Sequence, residues 1–116
     1  MTIANSNSVN LSLIVPVYNG AANLPALLDD LKLLPAARVQ IVLINDGSTD
    51  NSLTLCHDFK GGRDNVKVID QANAGVSVAR NAGMAKAVGV YTGFCDADDR
   101  MDCLLYTSPS PRDGLL

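Results

Sequence analysis

Apolar positions along this chain recur with two different periods. Leu11-Ser12-Leu13-Ile14-Val15-Pro16-Val17 and Val39-Gln40-Ile41-Val42-Leu43-Ile44 are short, β-rich apolar runs. That pattern fits strands buried on both faces rather than on one. Between them Leu24, Leu27, Leu28, Leu31 and Leu34 form a stripe at helical spacing, with Asn23 as N-cap. Pro25 fits the first turn of that helix and Pro35 stops it. A second helix turns Leu53, Cys56 and Phe59 inward and ends at Gly61-Gly62. Val66 to Asp70 reads as a third strand. Asn73-Ala74-Gly75 opens a third helix, which runs to about Val88 and ends at Gly89. Val90 to Cys95 reads as a fourth strand. The order β-α-β-α-β-α-β predicts an α/β protein: a Rossmann-like, mainly parallel sheet of about four strands with three helices.

A parallel sheet joined by right-handed crossovers brings every strand's carboxyl end to one edge. Four polar clusters therefore share a rim: Pro16 to Asn19, Asn45 to Ser48, Asp70 to Gly75, and Asp96 to Asp99. In open α/β sheets that rim is where ligands bind. The fourth cluster carries the most chemistry, because Phe94-Cys95-Asp96-Ala97-Asp98-Asp99 runs an apolar strand straight into three carboxylates. In an extended segment Asp96 and Asp98 face the same side, with Asp99 beside them. Such carboxylates repel one another unless a cation joins them, and their hard oxygens suit Mg²⁺ or Mn²⁺. Alone, the cluster would read as an acidic turn capping a helix; convergence with three other clusters favours a ligand site.

Composition narrows the classes. The chain has 116 residues, 47% of them hydrophobic, and a net charge of −3. This bounds it to at most one domain with a real core and no basic surface for nucleic acid. Cys56, Cys95 and Cys103 lack metal-ligand spacing, and their odd number without a secretory leader reads as reduced thiols in a cytoplasmic protein. No apolar run reaches the about 20 residues that span a bilayer. Residues 1–10 form a polar extension and 11–102 carry the β/α alternation. Residues 103–116, with Ser108-Pro109-Ser110-Pro111, break that alternation and read as a tail foreign to the natural gene, expected to be mobile.

Taken together, Leu13-Ile14-Val15-Pro16-Val17-Tyr18-Asn19, Asn45-Asp46-Gly47-Ser48-Thr49-Asp50, Asn73-Ala74-Gly75 through Ala79-Arg80-Asn81-Ala82-Gly83, and Asp96-Ala97-Asp98-Asp99 resemble a known family. The chain is similar, from about Leu11 to Asp102, to the N-terminal half of the inverting glycosyltransferases of family 2, which have the GT-A fold. The resemblance implies a nucleotide-sugar donor, a UDP-sugar, bound with Mn²⁺ or Mg²⁺. Pro16 and Tyr18 would then lie against the nucleobase, with Asn19 and Gly75 in the same nucleotide site. Asp46 would accept from the uracil N3–H, and Arg80 would help neutralise the nucleotide. Asp96 and Asp98 would face ribose and metal, and Asp98 and Asp99 would hold the metal. Many relatives have aspartate where this chain has Asn45, a departure that leaves Asp46 intact.

Inversion by direct displacement needs a general base on the acceptor hydroxyl. In the family that carboxylate comes later, in the half that binds a saccharide or lipid-linked acceptor. The expectation is therefore a donor-binding fragment, inactive alone, from a protein working in the cytoplasm, at the inner face of the membrane in its full-length form. Two other classes remain. A sugar-phosphate nucleotidyltransferase fragment would want a Gly-rich loop after the first strand, where only Gly20 stands. A non-catalytic nucleotide- or phosphate-binding module of receiver type would want paired acids there, and Val15-Pro16-Val17 replaces them. Asp50 is expected as a helix cap, His57 as a structural or surface-exposed residue and not a base, and Gly83 as a close-packing contact.

Overall fold

The computed structural model describes residues 9–95 and 107–109. Strands β1 (Leu11–Val17), β2 (Val39–Asp46), β3 (Val66–Gln71) and β4 (Tyr91–Phe94) alternate with helices α1 (Leu24–Leu31), α2 (Ser52–Lys60) and α3 (Val76–Lys86). A short fifth strand, β5, spans Thr107–Pro109. The sheet order is β3-β2-β1-β4-β5, parallel throughout except for the antiparallel β4–β5 pair. The expected four parallel strands and three helices are all present.

The two apolar strands are central because both of their faces are covered. Leu13, Val15, Val17, Ile41 and Leu43 join Leu24, Leu27, Leu31, Cys56 and Phe59 in the larger core, under α1 and α2. Ile14, Val42 and Ile44 point the other way and pack with Ala79 and Ala87 under α3. That second layer is thin, and Gly83 is what lets α3 approach. A Cβ at Gly83 would lie 2.5 Å from Ile14 Cγ2 and 2.8 Å from Ile44 Cδ1. The close-packing role expected of Gly83 is met.

At the amino ends of the strands a buried polar network fixes where β4 begins. Ser12 Oγ donates to Gln40 Oε1 at 2.6 Å and accepts the backbone N–H groups of Val88 and Gly89 at 3.1 and 2.8 Å. Gln40 Nε2 donates to the Lys86 carbonyl at 3.1 Å. Buried polar atoms are thereby paired, and the α3–β4 connection is clamped against β1.

Local details refine the expectations. Thr107–Pro109, assigned by sequence to a tail outside the fold, pairs with β4 in the register Tyr91↔Pro109, Thr92↔Ser108 and Gly93↔Thr107. The segment lies at the sheet edge, one of the places where a strand tolerates proline. Asn23 is the N-cap residue of α1, as expected, though without a side-chain cap bond. Asn51 holds that position in α2, while the Asp50 carboxylate accepts the Ser52 N–H at 2.9 Å and caps the helix from one residue earlier. Cys56 is a free thiol whose burial pushes its pKa up to about 12, an inert core group, whereas Cys95 is disulfide-bonded rather than reduced.

Candidate functional site

The carboxyl ends of β1, β2 and β3 and the start of α3 enclose a pocket of about 510 Å³. It lies beside the point where the strand order reverses direction, between β1 and β4, where doubly wound sheets leave a crevice. Pro16, Tyr18, Asn19, Asp46, Gly75 and Arg80 all line it. Six residues spread over 65 positions of sequence are thus gathered at one place by the topology.

Asp46 is the electrostatic centre of that pocket. It is the last residue of β2 and only 4% exposed. Its Oδ1 accepts from Gln71 Nε2 and from the Ala74 N–H, both at 2.9 Å, and its Oδ2 accepts from the Gly75 N–H at 3.0 Å. The Gln71 hydrogen bond, reinforced by the Ala74 and Gly75 N–H groups and opposed by burial, holds the carboxyl below its usual value of 3.8. A nearly buried carboxylate is stable here because donors replace the water it loses. Gly75 supplies its N–H from φ +100°, a conformation that other residues rarely adopt.

Two glycine and amide contacts that the sequence reading passed over complete this corner. Gly47 has φ +74°, and a Cβ there would lie 2.6 Å from the Asn73 backbone nitrogen. Asn73 Nδ2 donates to the Asp46 carbonyl at 3.0 Å, and Asn73 also lines the pocket. The signal for Gln71 lay in strand register, since Asp46 and Gln71 are directly paired across β2 and β3. Only a structure supplies that pairing.

The loop after β1 is built as a clip rather than as an open ligand surface. Asn19 has φ +48°, and its side-chain oxygen accepts from the Thr49 N–H at 2.7 Å and the Asp50 N–H at 3.4 Å. The Asn19 N–H donates to Ser48 Oγ at 2.9 Å, and the Gly20 N–H to Ser52 Oγ at 3.0 Å. Asp50 accepts from the Ser52 hydroxyl at 2.6 Å and from the Ala21 N–H at 3.1 Å; the Ser52 hydroxyl chiefly lowers its pKa. Asn19 therefore lines the pocket while its amide oxygen joins the loops after β1 and β2.

Tyr18 is 55% exposed on the rim, with its ring available to a flat ligand. Arg80 is half-buried on α3, its guanidinium 5.7 Å from the Phe94 ring centroid. Asn45, on the opposite face of β2 from Asp46, donates to Asp70 Oδ1 at 3.0 Å. His57 is exposed on α2, as expected. Asp96, Asp98 and Asp99 lie outside the described residues; β4, which leads to them, ends beside β1, with the Cys95 N–H donating to the Ile14 carbonyl at 3.0 Å. Among the described residues no cluster of His, Cys, Asp or Glu could hold a metal, and no helix is long and apolar enough to cross a membrane.

A parallel sheet ordered 3-2-1-4 with a polar pocket at the carboxyl ends of its strands has the Rossmann-like α/β architecture found in GT-A glycosyltransferases. Residues 12–102 match the model of the family described as Glycosyl transferase family 2, and the chain belongs to that family. Over 101 residues it is 41% identical to the glycosyltransferase YibD of Escherichia coli (strain K12), covering 86% of this chain and 29% of that protein. TarS of S. aureus superposes with a TM-score of 0.73 at 30% identity over 79% of this chain and 28% of that one, and has been solved with UDP and with UDP-GlcNAc. The mannosyltransferase PcManGT of Pyrobaculum calidifontis, solved with GDP-Man and Mn²⁺, shares the fold at 21% identity and a TM-score of 0.67, covering 80% of this chain and 28% of that one. The chain thus spans less than a third of the length of these relatives.

Proposed function

We propose that this chain is the donor-binding part of an inverting, metal-dependent glycosyltransferase, and that its donor is a UDP-sugar. The observation that carries this is the convergence of Pro16, Tyr18, Asp46 and Arg80 on one pocket at the carboxyl edge of the sheet. The UDP complexes of TarS, at about 30% identity, lend support to the choice of nucleotide. In this reading the base lies against Pro16 and Tyr18, Asp46 accepts its N–H, and Arg80 offsets diphosphate charge.

The carboxylates Asp98 and Asp99, with Asp96, are proposed to hold Mn²⁺ or Mg²⁺, for which their hard oxygens are suited. The ion would supply charge compensation for the departing diphosphate. Among the described residues lining the pocket, Asp46 is the one carboxylate, and three donors already hold it in place. It is therefore poorly suited to take a proton from an acceptor hydroxyl. We place the general base, and the site for a saccharide or lipid-linked acceptor, in the portion of the family's length that this chain does not span. The chain by itself is proposed to bind donor without transferring sugar.

Calorimetric titration of UDP, with and without Mn²⁺, tests this directly, beside an Asp98→Ala, Asp99→Ala double variant. Binding that needs the metal and is lost in the double variant is the expected result. A folded wild-type chain that releases no heat with UDP would sink the donor-site assignment. Binding that ignores both metal and variant would leave a nucleotide-binding module without the metal site.

A further inference from the structure

We propose that Gln71 sets the nucleobase selectivity of the pocket, by filling an acceptor position on Asp46 and leaving that carboxylate a single open one. This rests on the reading of Asp46 as the group that faces the base. A carboxylate offers about four acceptor directions, two on each oxygen. Gln71 Nε2 and the Ala74 N–H occupy both directions on Oδ1, and the Gly75 N–H takes one on Oδ2. One direction on Oδ2 remains for a ligand.

The remaining direction matches some bases and not others. Uracil presents one N–H between two carbonyl oxygens, so a single acceptor satisfies it. Guanine presents N1–H and an N2 amino hydrogen side by side, a pair that an unencumbered carboxylate would take with both oxygens. Here the second donor meets an Oδ1 already filled, and a polar group left unpaired in a binding site weakens binding by about tenfold. Gln71 can do this because strand register places it directly across from Asp46, half-buried at the end of β3. It is a residue that selects through Asp46 and touches no reacting atom.

The test compares UDP, GDP and IDP binding to the full chain by calorimetry in the presence of Mn²⁺. The ribose and diphosphate are common to all three, so the ratios report the base alone. Hypoxanthine keeps the N1–H of guanine and lacks its amino group. Wild type is expected to bind UDP about tenfold or more tighter than GDP, and IDP no more weakly than GDP. GDP binding tighter than IDP in wild type overturns the proposal without any variant. Gln71→Leu, which cannot donate, should reverse the IDP and GDP order and narrow the gap between UDP and GDP by about tenfold. An unchanged ratio in a folded Gln71→Leu chain likewise overturns it. N3-methyl-UDP separates this proposal from the one beneath it. If it binds as tightly as UDP, Asp46 does not face the base, and both fall together. If it binds more weakly while the Gln71 ratios stay fixed, only the role of Gln71 falls.

Discussion

Asp46 shows how one side chain can serve both the site and the stability of the fold. Its carboxylate is nearly buried and is tolerated because Gln71, Ala74 and Gly75 all donate to it. Those bonds favour the ionised form, so its folded-state pKa lies below the unfolded value of 3.8. A depressed carboxyl pKa stabilises the fold fully above the unfolded pKa, and the contribution is lost as pH falls through the folded one. Asp50, lowered chiefly by the Ser52 hydroxyl, acts in the same direction. The Asp46→Asn variant is accordingly expected to lose less stability than wild type between about pH 5 and pH 2 in urea denaturation. Identical acid limbs for the two proteins would mean that Asp46 is not held as the structure has it. Asp46 was legible as a candidate through the motif resemblance, while its turn-rich surroundings alone fit plain turn chemistry; the structure places it in the pocket lining. Its dependence on Gln71 was not legible, because the two are 25 residues apart and meet only through strand register.

Element boundaries were legible wherever a burial pattern set them. The continuous apolar runs became β1 and β2, and the leucine stripe became α1, with Leu24, Leu27, Leu28 and Leu31 buried. Contacts between elements were legible at Gly83, whose close packing was expected, but not at Gly47. Gly83 lets α3 sit on the sheet, whereas Gly47 lets the loop after β3 close on the end of β2. Gly83→Ala is expected to cost about 1–3 kcal/mol of stability through overpacking, while the folded protein binds UDP as before. Gly47→Ala adds a strained φ to its clash and should cost about 2 kcal/mol or more. Because that strain falls on Asn73 and its bond to Asp46, UDP affinity of the folded protein should drop as well. Urea denaturation and calorimetry on the two variants check the contrast; equal effects on affinity would refute it.

At the scale of the whole molecule, the sheet and the pocket depend on each other. The larger core, under α1 and α2, anchors β1 and β2, while the opposite face is, among the described residues, closed by α3. The pocket draws its walls from the ends of β1, β2 and β3 and from α3, the element of that thinner layer. A nucleotide bound there would bridge these parts and stabilise the native state by linkage. At a hundred times its Kd, UDP should add about 2.7 kcal/mol, equivalent to a rise in Tm of about 10 °C for a domain of this size. Differential scanning calorimetry reads that shift, and a Tm indifferent to UDP would deny binding to the folded state.

The sequence by itself determined the α/β class, the order of elements and the rim on which the polar clusters after β1, β2 and β3 meet. Those follow from local periodicity, turn chemistry and the handedness of crossovers, all of which act along the chain. It also determined the family, through short motifs carried in the correct order. What only the tertiary structure decided is which partners each polar group finds. Strand register chose Gln71 for Asp46 and Asp70 for Asn45. Loop packing turned Asn19 into a clip between two turns, and edge pairing placed Thr107–Pro109 beside β4. Hydrogen bonds of this kind join residues tens of positions apart, so their existence depends on a chain already folded.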